Sequence, residues 1–266
     1  MPHSFFDVPH PTVIGHRGSA GTCPENTLVS FEAALEAGAH ILESDVHISR
    51  DGVPILLHDP DLDRISDQSG QACDFTWAEL QEVDAGYAFE DAGGAHSFRG
   101  KNIRIASLEQ AFDAFPEARF NLEIKCAGDA AIAATLDLVA SQDREHQTLI
   151  AAGEDPIMAD VRKLLARHSS APAMGASLGE IVGAVSSALN GEAMPSGVMA
   201  LQIPSEFAGQ PLATRELIDH AHAHAVAVHV WTINDLEEIE ALLALGVDGI
   251  VTDFPGQMAD WLVGRG

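Results

Sequence analysis

From Thr12 onward, short apolar runs rich in β-branched residues alternate with stretches in which apolar residues recur every three or four positions. The first pattern predicts strands and the second predicts amphipathic helices. Strands are predicted at Thr12 to Gly15, Ile41 to Val46, Val53 to Leu57, Arg119 to Lys125, Thr148 to Ala152, Ala171 to Ala176, Val198 to Ile203, Val226 to Trp231 and Gly249 to Thr252. Between them, Leu28, Phe31 and Leu35 mark a helix capped by Asn26 or Thr27 and stopped at Gly38. Further helices are predicted over Leu108 to Phe115, Ala130 to Ala140, Pro156 to Arg167, Gly179 to Leu189, Thr214 to His224 and Asp235 to Leu245, the last closed by Gly246. Strands alternating with helices predict a parallel sheet, and this many units predict closure into a (β/α)8 TIM-like barrel. The 266 residues match the size of one such barrel, so the whole chain, 1–266, is expected to be a single barrel domain.

The alternation breaks twice. Only Ser49 to Gly52 separates the second and third strands, too short for a parallel crossover, so these two form an antiparallel hairpin. A two-residue Asp51-Gly52 turn pairs Arg50 with Val53 and sets Asp45 opposite His58. After His58, residues 60–105 are rich in Asp, Gly and Ser, with one helical island over Thr76 to Val83, capped by Asp74 or Thr76. So long a stretch without periodicity reads as an insertion over one end of the barrel, with Tyr87, Phe89 and Phe98 as its expected inward anchors.

The candidate chemistry starts on the second strand. Alternation along Ile41 to Val46 points Glu43 and Asp45 to one face, shared with His47. Two carboxylates about 6 to 7 Å apart repel by roughly 2 to 3 kcal/mol at an effective dielectric constant near 20. A cation between them converts that repulsion into binding, and oxygen donors select a hard divalent ion, Mg²⁺ or Ca²⁺. On the strand from Arg119, Asn121, Glu123 and Lys125 share one face, costly inside a barrel unless they line a site or pair with each other. His16 falls at the carboxyl end of the first strand, the end at which β/α barrels carry their active sites.

Taken in order, His16-Arg17-Gly18, Pro24-Glu25-Asn26-Thr27, Glu43-x-Asp45, His58-Asp59, Glu123-Ile124-Lys125, Val230-Trp231-Thr232-Ile233-Asn234 and Asp248 to Asp253 resemble the signature of the glycerophosphodiester phosphodiesterase family. The resemblance spans nearly the whole chain. It implies hydrolysis of a glycerophosphodiester to glycerol 3-phosphate and an alcohol, and it implies an insertion after the second catalytic histidine. Carried over residue by residue, His16 and His58 are the acid-base pair, and Glu43, Asp45 and Glu123 hold one divalent cation. Arg17 and Lys125 contact the phosphate, and Trp231 packs against the glycerol or head group. Which histidine is acid and which is base stays open, as does direct attack by water against attack by the neighbouring glycerol hydroxyl through a cyclic phosphate. Two departures stand out: Ala106-Ser107-Leu108-Glu109 where the family often has Pro-Thr-Leu-Glu, and Gly153-Glu154 where many members have Ser-Phe, which sets an acid where the head group would lie.

Composition narrows the remaining choices. Apolar residues make up 46% and charged residues 20%, a globular balance. No apolar run approaches the ~18 residues that span a bilayer, and the N-terminus lacks the basic-then-apolar pattern of a signal peptide, so a cytoplasmic location is expected. Cys23, Cys73 and Cys126 form no disulfide framework. The formal charge of −26 argues against nucleic-acid binding and stable membrane attachment, leaving a small-molecule substrate as the expected partner, drawn to local cations at Arg17, Lys125 and the metal. Alternatives are a lysophospholipase D type activity, needing an apolar groove expected around Tyr87 to Phe98, and a non-catalytic phosphodiester-binding barrel. His220, His222 and His224 do not share a helix face and read as a solvated helix end.

Overall fold

A computed structural model describes residues 3–168 and 171–265. Its strands are β1 (Thr12–Gly15), β2 (Ile41–Ile48), β3 (Pro54–Leu56), β4 (Arg119–Ile124), β5 (Thr148–Ala151), β6 (Ala173–Met174), β7 (Ala200–Pro204), β8 (Glu206–Phe207), β9 (Gln210–Pro211), β10 (Ala227–Trp231) and β11 (Gly249–Thr252). The helices are α1 (Leu28–Glu36), α2 (Trp77–Leu80), α3 (Leu108–Ala114), α4 (Asp129–Ser141), α5 (Asp155–Leu165), α6 (Leu178–Asn190), α7 (Arg215–Ala223), α8 (Leu236–Leu245) and α9 (Pro255–Val263).

Hydrogen bonds join the strands in the order β6-β5-β4-β2-β1-β11-β10-β7, with β3 paired to β2. Every pairing on that path is parallel. At the seam, the Met199 amide donates to the Met174 carbonyl at 2.9 Å, so the eight strands make a nearly closed barrel. The expected (β/α)8 architecture is therefore the observed one.

Side-chain alternation divides the strands as predicted. Phe120, Leu122 and Ile124 of β4 and Leu42 and Val46 of β2 face outward into a core with Phe31, Phe112 and Leu136 of the helices. Ile14, Ile41, Leu149, Ala200 and Val251 fill the barrel interior. Phe5, on a short 3-10 turn at Ser4–Phe6, plugs that interior core and is fully buried. Above this layer the inward positions become polar.

The β2–β3 hairpin forms, but one residue out of the expected register. Val46 pairs with Leu56 and His47 with Ile55, and the Leu57 amide donates to the Asp45 carbonyl, so Leu57 rather than His58 lies opposite Asp45. The reason is the turn. Ser49 and Val53 close a three-residue loop in which Gly52 takes φ +87° and the Ser49 hydroxyl bonds both Asp51 and the Val53 amide. The local hydroxyl bonds favour this longer loop, a glycine-dependent hairpin alternative to the two-residue turn.

Between β3 and α3 the chain builds a small core of its own from Leu62, Ile65, Leu80, Val83 and Ile105, packed on Ile55 and Leu57. Tyr87, Phe89 and Phe98 are not its anchors. Tyr87 is exposed under the Arg99 guanidinium, and Phe89 and Phe98 pair with each other edge to face while half-buried. The predicted island shortens to α2, capped by Thr76 in a reciprocal box with Glu79. The β8–β9 hairpin and α9 were not predicted from the pattern, the hairpin because its strands are only two residues each.

Candidate active site

The polar end of the barrel opens into a cleft of about 600 Å³ lined by His16, Arg17, Glu43, Asp45, His58, Glu123, Lys125 and Trp231. All eight residues singled out in the sequence meet there. The parallel register of β2 and β4 sets Glu43 beside Asn121 and Asp45 beside Glu123, so the third carboxylate arrives next to the first two. One oxygen from each of Glu43, Asp45 and Glu123 lies within 4.8 Å of the others.

The loop after β1 is wound to serve this cluster. Arg17 and Gly18 take φ values of +47° and +88°, turning the chain so that the Arg17 amide donates to Glu43 Oε2 at 3.0 Å. The Ser30 hydroxyl of α1 donates to the Arg17 carbonyl at 2.9 Å and fixes the turn on the helix. The Pro24-Glu25-Asn26-Thr27 run gains a physical meaning. Glu25 accepts from Arg17 Nη1 at 2.9 Å, Asn26 Nδ2 donates to Asp45 Oδ2 at 3.1 Å, and Thr27 caps α1. Between Asn26 and Thr27, the cap is Thr27, and Asn26 is a site-positioning residue that sequence reasoning missed.

Each histidine is backed by a carboxylate. His16 Nδ1 lies 2.7 Å from Asp253 Oδ1, and Asp253 Oδ2 accepts from Asn234 Nδ2 at 2.7 Å. His58 Nδ1 lies 2.7 Å from Asp59 Oδ1. Such a bond fixes the ring's orientation and tautomer and leaves the other nitrogen for chemistry. His47, on the Glu43 and Asp45 face, donates through Nε2 to the His58 carbonyl at 3.1 Å. The motif strings contained Asp59, Asn234 and Asp253, but nothing in their spacing revealed these pairings.

Electrostatics follow from crowding. Burial first, then the neighbouring Asp45 carboxylate, pushes Glu43 up to about 7. Burial pulls the Lys125 ammonium down, but Asp45 and Glu123 outweigh it and hold it above its ordinary value. Lys125 Nζ sits 2.7 Å from Glu123 Oε2 and 3.2 Å from Asp45 Oδ1, so the mutual Glu123–Lys125 pairing foreseen from the strand does form, inside the cluster. Burial likewise lowers His16, and the bond to Asp253 with the charge of Glu43 raises it to a net upward shift.

The donor set fits a hard divalent cation. All three carboxylates offer oxygen, and Asn121 Oδ1, another oxygen lining the cleft, is buried with no hydrogen-bond partner. Elsewhere among the described residues no comparable group of acids, histidines and cysteines occurs. His220 and His224, four residues apart, do share a face, with ring centroids 4.5 Å apart, which corrects the sequence reading. The three histidines nonetheless bond Ser187, Asp248 and a backbone carbonyl rather than forming a metal-binding group.

Opposite the charged wall the cleft is apolar. Leu178, Ile181, Val182 and Val185 of α6, Phe207 of the β8–β9 hairpin and Leu212 line it. Neither Tyr87 nor Phe98 does, so the apolar groove expected from residues 87–98 lies instead on α6 and the hairpin. Gly153 lines the cleft beside Glu123, whereas Glu154 turns away as the exposed residue preceding α5.

Residues 16–257 match the sequence model of the glycerophosphoryl diester phosphodiesterase family. A Homo sapiens protein named lysophospholipase D GDPD1 is 28% identical over 94% of this chain and 85% of its own length. The fold matches the glycerophosphoryl diester phosphodiesterase domain of a Mycobacterium tuberculosis protein with TM-score 0.82 at 21% identity, covering 95% of this chain and 99% of that one. An Oleispira antarctica phosphodiesterase solved with the product sn-glycerol-3-phosphate matches with TM-score 0.73 at 26% identity, covering 96% and 98%.

Proposed function

This chain belongs to the glycerophosphoryl diester phosphodiesterase family, and from that premise we propose that it hydrolyses glycerophosphodiesters to glycerol 3-phosphate and an alcohol in a divalent-cation-dependent reaction. One observation carries the reading: three carboxylates, two carboxylate-backed imidazoles and two cationic side chains converge on a single cleft. Glu43, Asp45 and Glu123 would hold the cation, which when bound supplies positive charge against the phosphodiester oxygens. Arg17 and Lys125 add fixed charge beside it, and the strands that carry the cluster keep the donors from reorganising during reaction. His16 and His58 divide the proton transfers, one taking a proton from the attacking hydroxyl or water and the other protonating the leaving oxygen, each worth about 10² to 10⁴ in rate. Trp231, about half exposed at the end of β10, offers a flat apolar surface to the glycerol or head group.

A second reading is favoured by the apolar wall. The α6 residues and Phe207 suit an acyl chain still attached to the glycerol, the substrate class named for the human relative, so the enzyme would also act as a lysophospholipase D. The proposed cytoplasmic location, expected from the lack of a signal-peptide pattern, is supported further by three free cysteines, of which Cys73 is exposed. Among the described residues no helix is long and apolar enough to cross a membrane.

Chelator-stripped enzyme, assayed on glycerophosphocholine and lysophosphatidylcholine with Mg²⁺, Ca²⁺ and Mn²⁺ restored in turn, tests both readings. Activity on the first substrate that returns only with a divalent ion is expected. Full activity without any ion sinks the metal-dependent reading, and equal inertness toward lysophosphatidylcholine sinks the second.

A further inference from the structure

Arg64 lies outside the residues assigned so far, in the segment between β3 and α3, yet its guanidinium touches two carboxylates that each hold a site residue. Nε donates to Asp59 Oδ2 at 2.5 Å, while Nη1 and Nη2 donate to Glu25 Oε2 and Oε1, both at 2.7 Å. Asp59 faces His58 through its other oxygen, Oδ1, and Glu25 accepts from Arg17 Nη1. The chain on either side of Arg64 is anchored, since Leu62 and Ile65 are buried in the segment's own core. The planar fork of a guanidinium grips Glu25 with two parallel bonds while Nε reaches Asp59, a fixed geometry that the single ammonium nitrogen of a lysine does not reproduce.

We propose that Arg64 is a positioning residue that sets the orientations of His58 and Arg17 together, through Asp59 and Glu25. The contrast with His16 supports this. Its carboxylate, Asp253, is held by the neutral Asn234 amide and by nothing from the segment between β3 and α3. His58 and Arg17 come from separate loops, and Arg64 is where those loops meet in one ion-paired group. Arg64 touches no reacting atom. Its effect reaches the reaction only through the two carboxylates, and it rests on the roles proposed above for His58 and Arg17.

The test compares the full-length parent with Arg64→Met, Arg64→Lys, Asp59→Asn and Glu25→Gln, reading kcat and KM on glycerophosphocholine, thermal midpoint, and the ring signals of isotope-labelled histidine. Arg64→Met is expected to lower kcat about tenfold or more and to raise KM, with Asp59→Asn reproducing mainly the first effect and Glu25→Gln the second. Arg64→Lys should fall between parent and Arg64→Met. The combined Arg64→Met, Asp59→Asn variant should lose less than the product of the two single losses, because both break one chain of contacts. The His58 ring signals should shift in Arg64→Met while those of His16 stay in place. The histidine spectra need no turnover, so they decide the positioning role even if the parent hydrolyses no diester. Kinetic constants within twofold of the parent together with unmoved His58 signals would overturn the proposal. Should Arg64→Met not fold, Arg64→Lys and Asp59→Asn carry the same comparison.

Discussion

His16 shows how one side chain's chemistry is set by what stands behind it. Burial alone would make its imidazole a weaker base, yet the bond to Asp253 and the charge of Glu43 more than offset that. Asp253→Asn removes the largest raising contribution, so the His16 ring should titrate at lower pH, and the limb of the kcat/KM profile that reports it should move toward acid. A loss of about ten- to a hundredfold in kcat should accompany the move, since orientation is lost as well. An Asp253→Asn enzyme with an unmoved profile would mean that the Nδ1 bond does not tune the ring. His229 illustrates the opposite case. Buried on the wall of the barrel, away from the cluster, it is held down to about 4 by burial, against 6.5 when free. A folded-state value below the unfolded one means that the unfolded chain takes up the proton first. Its contribution is thus fully present above pH 6.5 and is lost as pH falls toward 4, by about 3 kcal/mol at roughly 1.4 kcal/mol per pH unit. Urea unfolding at stepped pH should show this slope, and His229→Leu should flatten it.

At the scale of elements, the turn after β1 does the most with the fewest residues. Gly18 has φ +88°, and a Cβ there would stand 2.6 Å from the Ser30 backbone. Gly18→Ala should therefore cost at least about 1 to 2 kcal/mol from the left-handed backbone alone, with the clash added. It should also weaken divalent-ion binding by displacing the Arg17 amide from Glu43, which calorimetric titration of the ion would read. A variant with parent stability and parent ion affinity would show that the turn is not held by its contact with α1. The strands and helices around this turn were legible because their periodicity is the packing itself. Phe120, Leu122 and Ile124 alternate with Asn121 and Glu123 because one side meets helices and the other the barrel interior. The three carboxylates were legible for the same reason, since alternation and parallel register bring them together. What sequence could not supply was side-chain pairing between distant segments. Asn26 on Asp45, Asp253 behind His16 and Arg64 across Glu25 and Asp59 depend on loop conformations that no spacing encodes. The hairpin register slipped by one residue for a related cause, a serine hydroxyl that favours the longer loop. The apolar wall was misassigned to residues 87–98 because aromatic content there was visible, whereas the lining of α6 depends on which helix face the fold leaves uncovered.

The whole molecule sets a field that the site must overcome. With 40 acidic against 14 basic residues, the chain repels an anionic diester at a distance, while in the proposed function Arg17 and Lys125, which line the cleft, would attract it only at close range. The two contributions differ in how salt affects them. Long-range repulsion is screened as the Debye length shortens from about 30 Å at 0.01 M to about 8 Å at 0.15 M, whereas contacts inside the cleft lie well within that distance. A singly anionic substrate such as glycerophosphoglycerol should therefore gain kcat/KM as salt rises through this range at saturating divalent ion. Zwitterionic glycerophosphocholine, with no net charge for the field to act on, should change little. Were both to fall in parallel, the local cations would dominate the approach of substrate, and the acidic surface would contribute nothing to selection among diesters.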